Sequence, residues 1–109
     1  MIKVYLASPY TNGDVAKNVK LQIDTSHDLM DLGYNPMVPL MAHFLQMSKT
    51  RDYEEWLRID FDWISICDVL FRIPSDIPSP GADREVVHAL SLGIPVVYSI
   101  DELIKQFPV

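Results

Sequence analysis

Short apolar runs alternate with helix-like segments along the whole chain, and that alternation leaves few folds open. Residues 2–7 are apolar, β-branched or aromatic apart from Lys3, and Ser8-Pro9 stops them, which reads as a buried strand. Residues 34–38, 68–73 and 94–99 repeat the pattern, the first two ended by Pro39 and Pro74. Asp14 is placed to cap a helix whose apolar positions are Val15, Val19, Ile23 and Met30, with Gly33 closing it. Residues 40–47 predict a short helix, 48–52 a loop, 54–67 a longer helix, and 75–81, with Pro78, Pro80 and Gly81, another loop. Residues 82–92 predict a helix ending at Gly93, and 101–106 a last short one. A β-α-β-α-β-α-β-α order implies a parallel sheet with helices on its faces, which binds ligands at the carboxyl ends of its strands. The expected class is α/β, a Rossmann-like or flavodoxin-like three-layer sandwich with a mostly parallel sheet of four to five strands. A chain of 109 residues has room for one domain, taken as 1–109.

Charge narrows the partners. Nine basic residues against fifteen acidic ones give a net charge of −6, which argues against polymeric nucleic acid but leaves a small anion held by backbone N–H groups open. The lone cysteine, Cys67, excludes an internal disulfide and a four-cysteine zinc site, and reads as a small buried hydrophobe. The opening apolar run is too short for a signal peptide, and no stretch approaches the roughly eighteen apolar residues of a membrane span. No membrane partner and a cytoplasmic location are therefore expected. His27, His43 and His88 lack metal-site spacing, and the chain has no G-x-G-x-x-G or Walker A motif, so no metal or organic cofactor is expected. A chain this short buries a modest core, which suits a homodimer or higher homo-oligomer.

Two carboxylates stand out on helical wheels drawn at roughly 100° per residue. Over 54–67, Trp56, Ile59, Trp63, Ile64 and Cys67 share one arc with Asp60 in its middle, while Asp62 lies opposite. Over 82–92, the apolar arc is Ala82, Val86, Ala89, Leu90 and Leu92, and Glu85 sits inside it, in the predicted first turn. Either acid alone is accounted for by bonds to a loop or to free backbone donors. Together they flank the third strand and face inward. Two inward carboxylates suit glycosyl-type chemistry, in which one attacks or stabilises a sugar carbon and the other handles a proton.

Two loops at the same sheet edge could meet an anion or a sugar. Thr11-Asn12-Gly13 leads into the first long helix and Ser79-Pro80-Gly81 into the Glu85 helix. Tyr10, at a strand end, could stack on a base, and His43, between Pro39 and Phe44, could line the pocket.

These residues resemble the nucleoside 2-deoxyribosyltransferase superfamily, including its nucleotide N-glycosidases. The resemblance rests on Val4-Tyr5-Leu6-Ala7-Ser8-Pro9-Tyr10, on Trp56 through Asp60 to Asp68, on Ser79-Pro80-Gly81-Ala82-Asp83-Arg84-Glu85 and on Ala89-Leu90-Ser91-Leu92-Gly93-Ile94-Pro95-Val96. It implies that Glu85 is the nucleophile on C1′ of the sugar. Asp60 would orient the sugar or handle the leaving base's proton, and Tyr5 would position the glutamate. It places Ser8, Tyr10, Thr11, Asn12, Gly13, His43, Ser79 and Gly81 around the substrate, with the loop at 11–13 near the sugar's 5′ end. Ser79 stands where transferases of the superfamily tend to carry aspartate and 5′-monophosphate hydrolases serine, which favours a nucleotide. The chain departs from those hydrolases in having no Gly- and Arg-rich first loop, and in carrying Arg84 beside Glu85, about 100° away on the wheel and toward a rim or a subunit contact. The implied function is cleavage of the N-glycosidic bond of a (deoxy)nucleoside 5′-monophosphate. The alternatives are 2-deoxyribosyl transfer and a non-catalytic nucleotide-binding or sensing module.

Overall fold

The computed structural model describes residues 1–109, the side chain of Met41 excepted. Strands β1 (Lys3–Ala7), β2 (Asn35–Met37), β3 (Val69–Arg72) and β4 (Val96–Val97) pair in the order β2-β1-β3-β4, every pair parallel. The helices are α1 (Val15–Asp31), α2 (Met41–Leu45), α3 (Tyr53–Ile64), α4 (Pro80–Ser91) and α5 (Ile100–Gln106). This is the expected α/β sandwich with a four-stranded parallel sheet. Its strand order reverses at β1/β3, the point where such sheets open a crevice at their carboxyl edge.

β1 sets the two layers by simple alternation. Val4 and Leu6 face one side with Leu29, Tyr34, Val69, Phe71 and Leu103, while Tyr5 and Ala7 face the other with Ile64, Leu70, Ala82 and Ala89. In register, Val4 pairs with Val69 and Ala7 with Arg72, so the ends of β1 and β3 lie side by side. Among the described residues no helix is long and apolar enough to cross a membrane.

The element boundaries follow local chemistry. Asp14 caps α1 by accepting from the Lys17 N–H at 3.2 Å, and Asp52 caps α3 by accepting from the Glu55 N–H at 2.8 Å. Gly33 ends α1 with φ at +98°, a conformation a side chain would strain. The helix predicted over 54–67 stops at Ile64, so Cys67 lies beyond it in the turn before β3. The helix predicted from 82 begins at Pro80, because proline at the first helical position loses no needed N–H bond.

Two predicted apolar faces are overturned. The buried side of α1 is Asn18, Gln22, Thr25, Ser26 and Leu29, whereas Ile23 and Met30 are exposed. The polar stripe wins because it meets the β1–α1 loop, whose backbone and hydroxyl groups need partners: Asn18 Nδ2 donates to the carbonyls of Tyr10 and Asn12. On α4, Leu90 and Leu92 are exposed, and only the small Ala82 and Ala89 join Glu85 in being buried. Trp63 of α3 also sits partly in solvent.

Candidate active site

Three titratable side chains, two of them buried, cluster at the floor of the crevice. Tyr5, fully buried in the middle of β1, points its hydroxyl toward α4 and donates a hydrogen bond to Glu85 Oε2. Ala82 and Ala89 let α4 pack close to the sheet and leave room for the Glu85 side chain, which is 5% exposed. Because α4 starts at Pro80, Glu85 is in its second turn and not its first. The helix dipole therefore helps its anion less than the sequence suggested, since that effect fades beyond the first turn. Asp60, half-buried on α3, comes within hydrogen-bonding reach of the Glu85 carboxyl.

Electrostatics couples the pair. Burial, then the Asp60 charge, pushes Glu85 up to about 8, against the opposing effects of the Tyr5 hydroxyl and Arg72. Burial pushes Asp60 up to about 6. Two carboxyls this close cannot both ionise cheaply, so near neutral pH they hold about one proton between them and titrate as a unit. The Tyr5 hydroxyl is itself driven well above its ordinary range by burial and then by Glu85, so it stays a donor aimed at the glutamate. The arrangement provides one carboxylate and one carboxylic acid side by side, steadied by a phenol.

Above this cluster a cavity of about 510 Å³ opens at the carboxyl edge of β1 and β3, large enough for a small ligand. Asp60 and Glu85 line it. Ser8, Tyr10, Thr11 and Asn12 line it from the loop after β1, and Ser79 and Gly81 from the start of α4. Asn12 Nδ2 donates to the Pro78 carbonyl at 2.7 Å, which ties the two loops together. Ser79 Oγ caps α4 by accepting from the Ala82 N–H at 3.2 Å. Gly81 lies against Tyr53, whose hydroxyl would be 3.0 Å from an added Cβ.

Three of the expected site residues stand behind the cavity wall. Tyr5 acts from below through Glu85. His43 backs Tyr10, whose hydroxyl hydrogen-bonds His43 Nδ1, and the two rings meet edge to face with centroids 5.6 Å apart. Gly13 has φ at +77° and packs against Ile77, where an added Cβ would lie 3.0 Å from Cδ1.

The structure places Arg84 as expected and adds residues that the sequence does not single out. Arg84 does reach the rim, but its guanidinium grips Glu54 at 2.6 and 3.0 Å, and Arg51, also on the rim, pairs with Glu55 at 2.8 Å. Gln22 and Trp56 line the cavity as buried polar side chains. The spacing of Asn18, Gln22, Thr25 and Ser26 along one face of α1 was the available signal for the first. Trp56 was masked by its place in an apolar arc. Among the described residues no group of three or more His, Cys, Asp or Glu side chains could hold a metal ion.

Known proteins give this geometry a family setting. No curated protein sequence matches the chain significantly. Solved structures do. A 2-deoxyribosyltransferase from the psychrotolerant bacterium Bacillus psychrosaccharolyticus is 27% identical, with a TM-score of 0.66 over 86% of this chain and 69% of that one. A 2-deoxyribosyltransferase from Leishmania mexicana (18% identity, TM-score 0.61) is matched over 90% of this chain and 63% of that one. A CMP N-glycosidase from Clostridium botulinum (21% identity, TM-score 0.60) is matched over 95% and 78%. These neighbours are enzymes, and the fold they share with this chain is that of the nucleoside 2-deoxyribosyltransferase-like superfamily. Within that fold, residues 2–99 match the profile of DUF7768, described as a domain of unknown function, and the chain belongs to that family.

Proposed function

We propose that the chain, as one nucleoside 2-deoxyribosyltransferase-like domain over 1–109, is an N-glycosidase that cleaves the N-glycosidic bond of a (deoxy)nucleoside 5′-monophosphate. The observation that carries this reading is the buried Tyr5–Glu85–Asp60 cluster lining or underlying one ligand-sized cavity. The Glu85 carboxylate attacks C1′ as the C1′–N bond breaks, and the bonding pair leaves with the base. Asp60, in its acid form, gives that nitrogen its proton. Water then attacks C1′, the glycosyl ester breaks to restore the Glu85 carboxylate, and Asp60 takes back a proton. Because the Glu85 carboxyl is pushed higher than that of Asp60, the shared proton rests on Glu85, and the reaction runs from the form in which it has passed to Asp60 and left the Glu85 carboxylate free to attack. Tyr5 steadies the glutamate anion between steps.

Ser8, Thr11, Asn12, Ser79 and Gly81 would surround the sugar and its 5′ group, with Gly13 shaping the loop from behind. Tyr10, held by His43, would face the base. Ser79 is neutral and can approach a phosphate, and Arg84 and Arg51 supply rim charge once Glu54 and Glu55 release it. A homodimer or higher oligomer is proposed from the exposed Trp63, Ile66, Val87 and Leu90 on α3, α4 and the turn after α3. The single free thiol of Cys67 suits a reducing, cytoplasmic compartment.

The 27% identity to a 2-deoxyribosyltransferase favours a second reading, in which a free base and not water resolves the glycosyl-enzyme. Incubation with nucleosides and their 5′-monophosphates, with and without an added free base, separates the two by chromatography. Released base without exchange supports hydrolysis, exchange supports transfer, and ligand-induced thermal stabilisation with no turnover supports a binding module.

A further inference from the structure

Two cavity-lining residues each carry a buried side-chain atom with no hydrogen-bond partner among the described residues, Gln22 Oε1 and Trp56 Nε1. Gln22 is 3% exposed and Trp56 9%. One end of the Gln22 amide is occupied by Ser8 Oγ, 2.7 Å from Nε2, which leaves the other end unpaired. A buried donor or acceptor left unpaired opposes folding, and native proteins retain few of them. Here both unpaired atoms belong to residues that line the same cavity as Asp60 and Glu85.

We infer that Gln22 and Trp56 are specificity-determining residues, each completing a hydrogen bond with the substrate. This inference rests on the glycosidase reading of the cavity. Trp56 lies one helical turn before Asp60 on α3, so their β-carbons are about 5–6 Å apart. If Asp60 protonates the leaving base, the partner expected for the indole N–H is an acceptor on that base, a ring nitrogen or a carbonyl oxygen. Gln22 stands on the α1 wall beside Ser8, and its unpaired amide end takes a hydroxyl, which can serve either end of an amide. A substrate with both groups satisfies both buried atoms. One lacking either leaves a buried atom unpaired, which is the strongest kind of selection a small pocket can exert.

The test uses Trp56→Phe and Gln22→Met, which keep an aromatic ring and a long side chain but remove the orphaned atoms. The probes are the four common 2′-deoxynucleoside 5′-monophosphates and their ribonucleotide counterparts. Melting temperature of the free protein, ligand-induced thermal shift and kcat/KM are read for each. The free variants should melt at or above the wild-type temperature, because each loses an unpaired buried atom. The thermal shift should shrink, and kcat/KM for the preferred nucleotide should fall about tenfold to a hundredfold, with the ranking among nucleotides compressed. Unchanged ranking, or melting temperature and binding falling together, would overturn the inference, as would unchanged binding with ordered water serving both atoms. Failure of the glycosidase reading shows up separately, as base release that survives Glu85→Ala, while the thermal-shift ranking still reads Gln22 and Trp56.

Discussion

The two faces of the central sheet are built to different standards. Toward α1 and α5, β1 contributes Val4 and Leu6 to an apolar cluster that also holds Leu29, Val69, Phe71, Val97 and Leu103. Toward α3 and α4, the same strand contributes Tyr5 and Ala7, and beside Ile64 and Leu70 the packing partners include the small Cys67, Ala82 and Ala89, next to a pair of carboxyls. The first face follows the ordinary logic of a dry core. The second leaves a buried acid pair that a stability-driven sequence would have replaced by hydrocarbon. Where local consistency fails inside an otherwise well-packed fold, the exception is the place to look for a site, and the proposed one lies there.

Breaking the acid face should hit chemistry first. Asp60→Asn removes the proton donor and should slow base release by about 10²–10⁴-fold, with melting temperature unchanged or raised. Breaking the dry face should do the reverse. Leu6→Ala should cost about 2–5 kcal/mol in denaturant unfolding, and the folded fraction should keep the wild-type pH–rate profile.

The pH dependence of stability distinguishes the faces without a substrate. Glu85 is raised from 4.5 to about 8 in the folded protein. Between those values the folded state binds more protons than the unfolded one, so stability should fall as pH rises through that window, by on the order of a few kcal/mol. Glu85→Gln should flatten this slope, whereas Leu6→Ala should lower the whole curve and leave the slope in place. Tyr5→Phe keeps the ring but removes the donor to the Glu85 anion. The acid limb of kcat/KM should then move upward by about one to two pH units, read from the pH–rate profile. The smallest effect is expected at the rim, where Arg84→Ala removes an exposed ion pair with Glu54 and should leave the denaturant unfolding midpoint nearly unchanged.

How much of this was legible follows from what each signal depends on. The strands and the parallel order were readable because apolar runs punctuated by proline and glycine are local features. Glu85 and Asp60 were readable because a charge inside an apolar arc contradicts its neighbours. The face of α1 was misread because Ile23 and Met30 are apolar yet exposed, while Asn18 and Gln22 are drawn inward by loop groups far from them in sequence. Hydrophobic periodicity carries no information about such partners. Sequence punctuation starts α4 two residues late because Pro80 reads as loop, whereas it opens the helix. The Arg84–Glu54 contact was invisible for the same reason as Gln22: it joins α3 to α4 across thirty residues.

The central claim is that a sugar–base bond is broken at Glu85. Base release from a nucleoside 5′-monophosphate, followed by chromatography for wild type and Glu85→Ala with folding checked by melting temperature, tests it most directly. The account predicts free base from the wild type and a loss of at least about a thousandfold in a folded Glu85→Ala. Base release at the wild-type rate by that variant would contradict it.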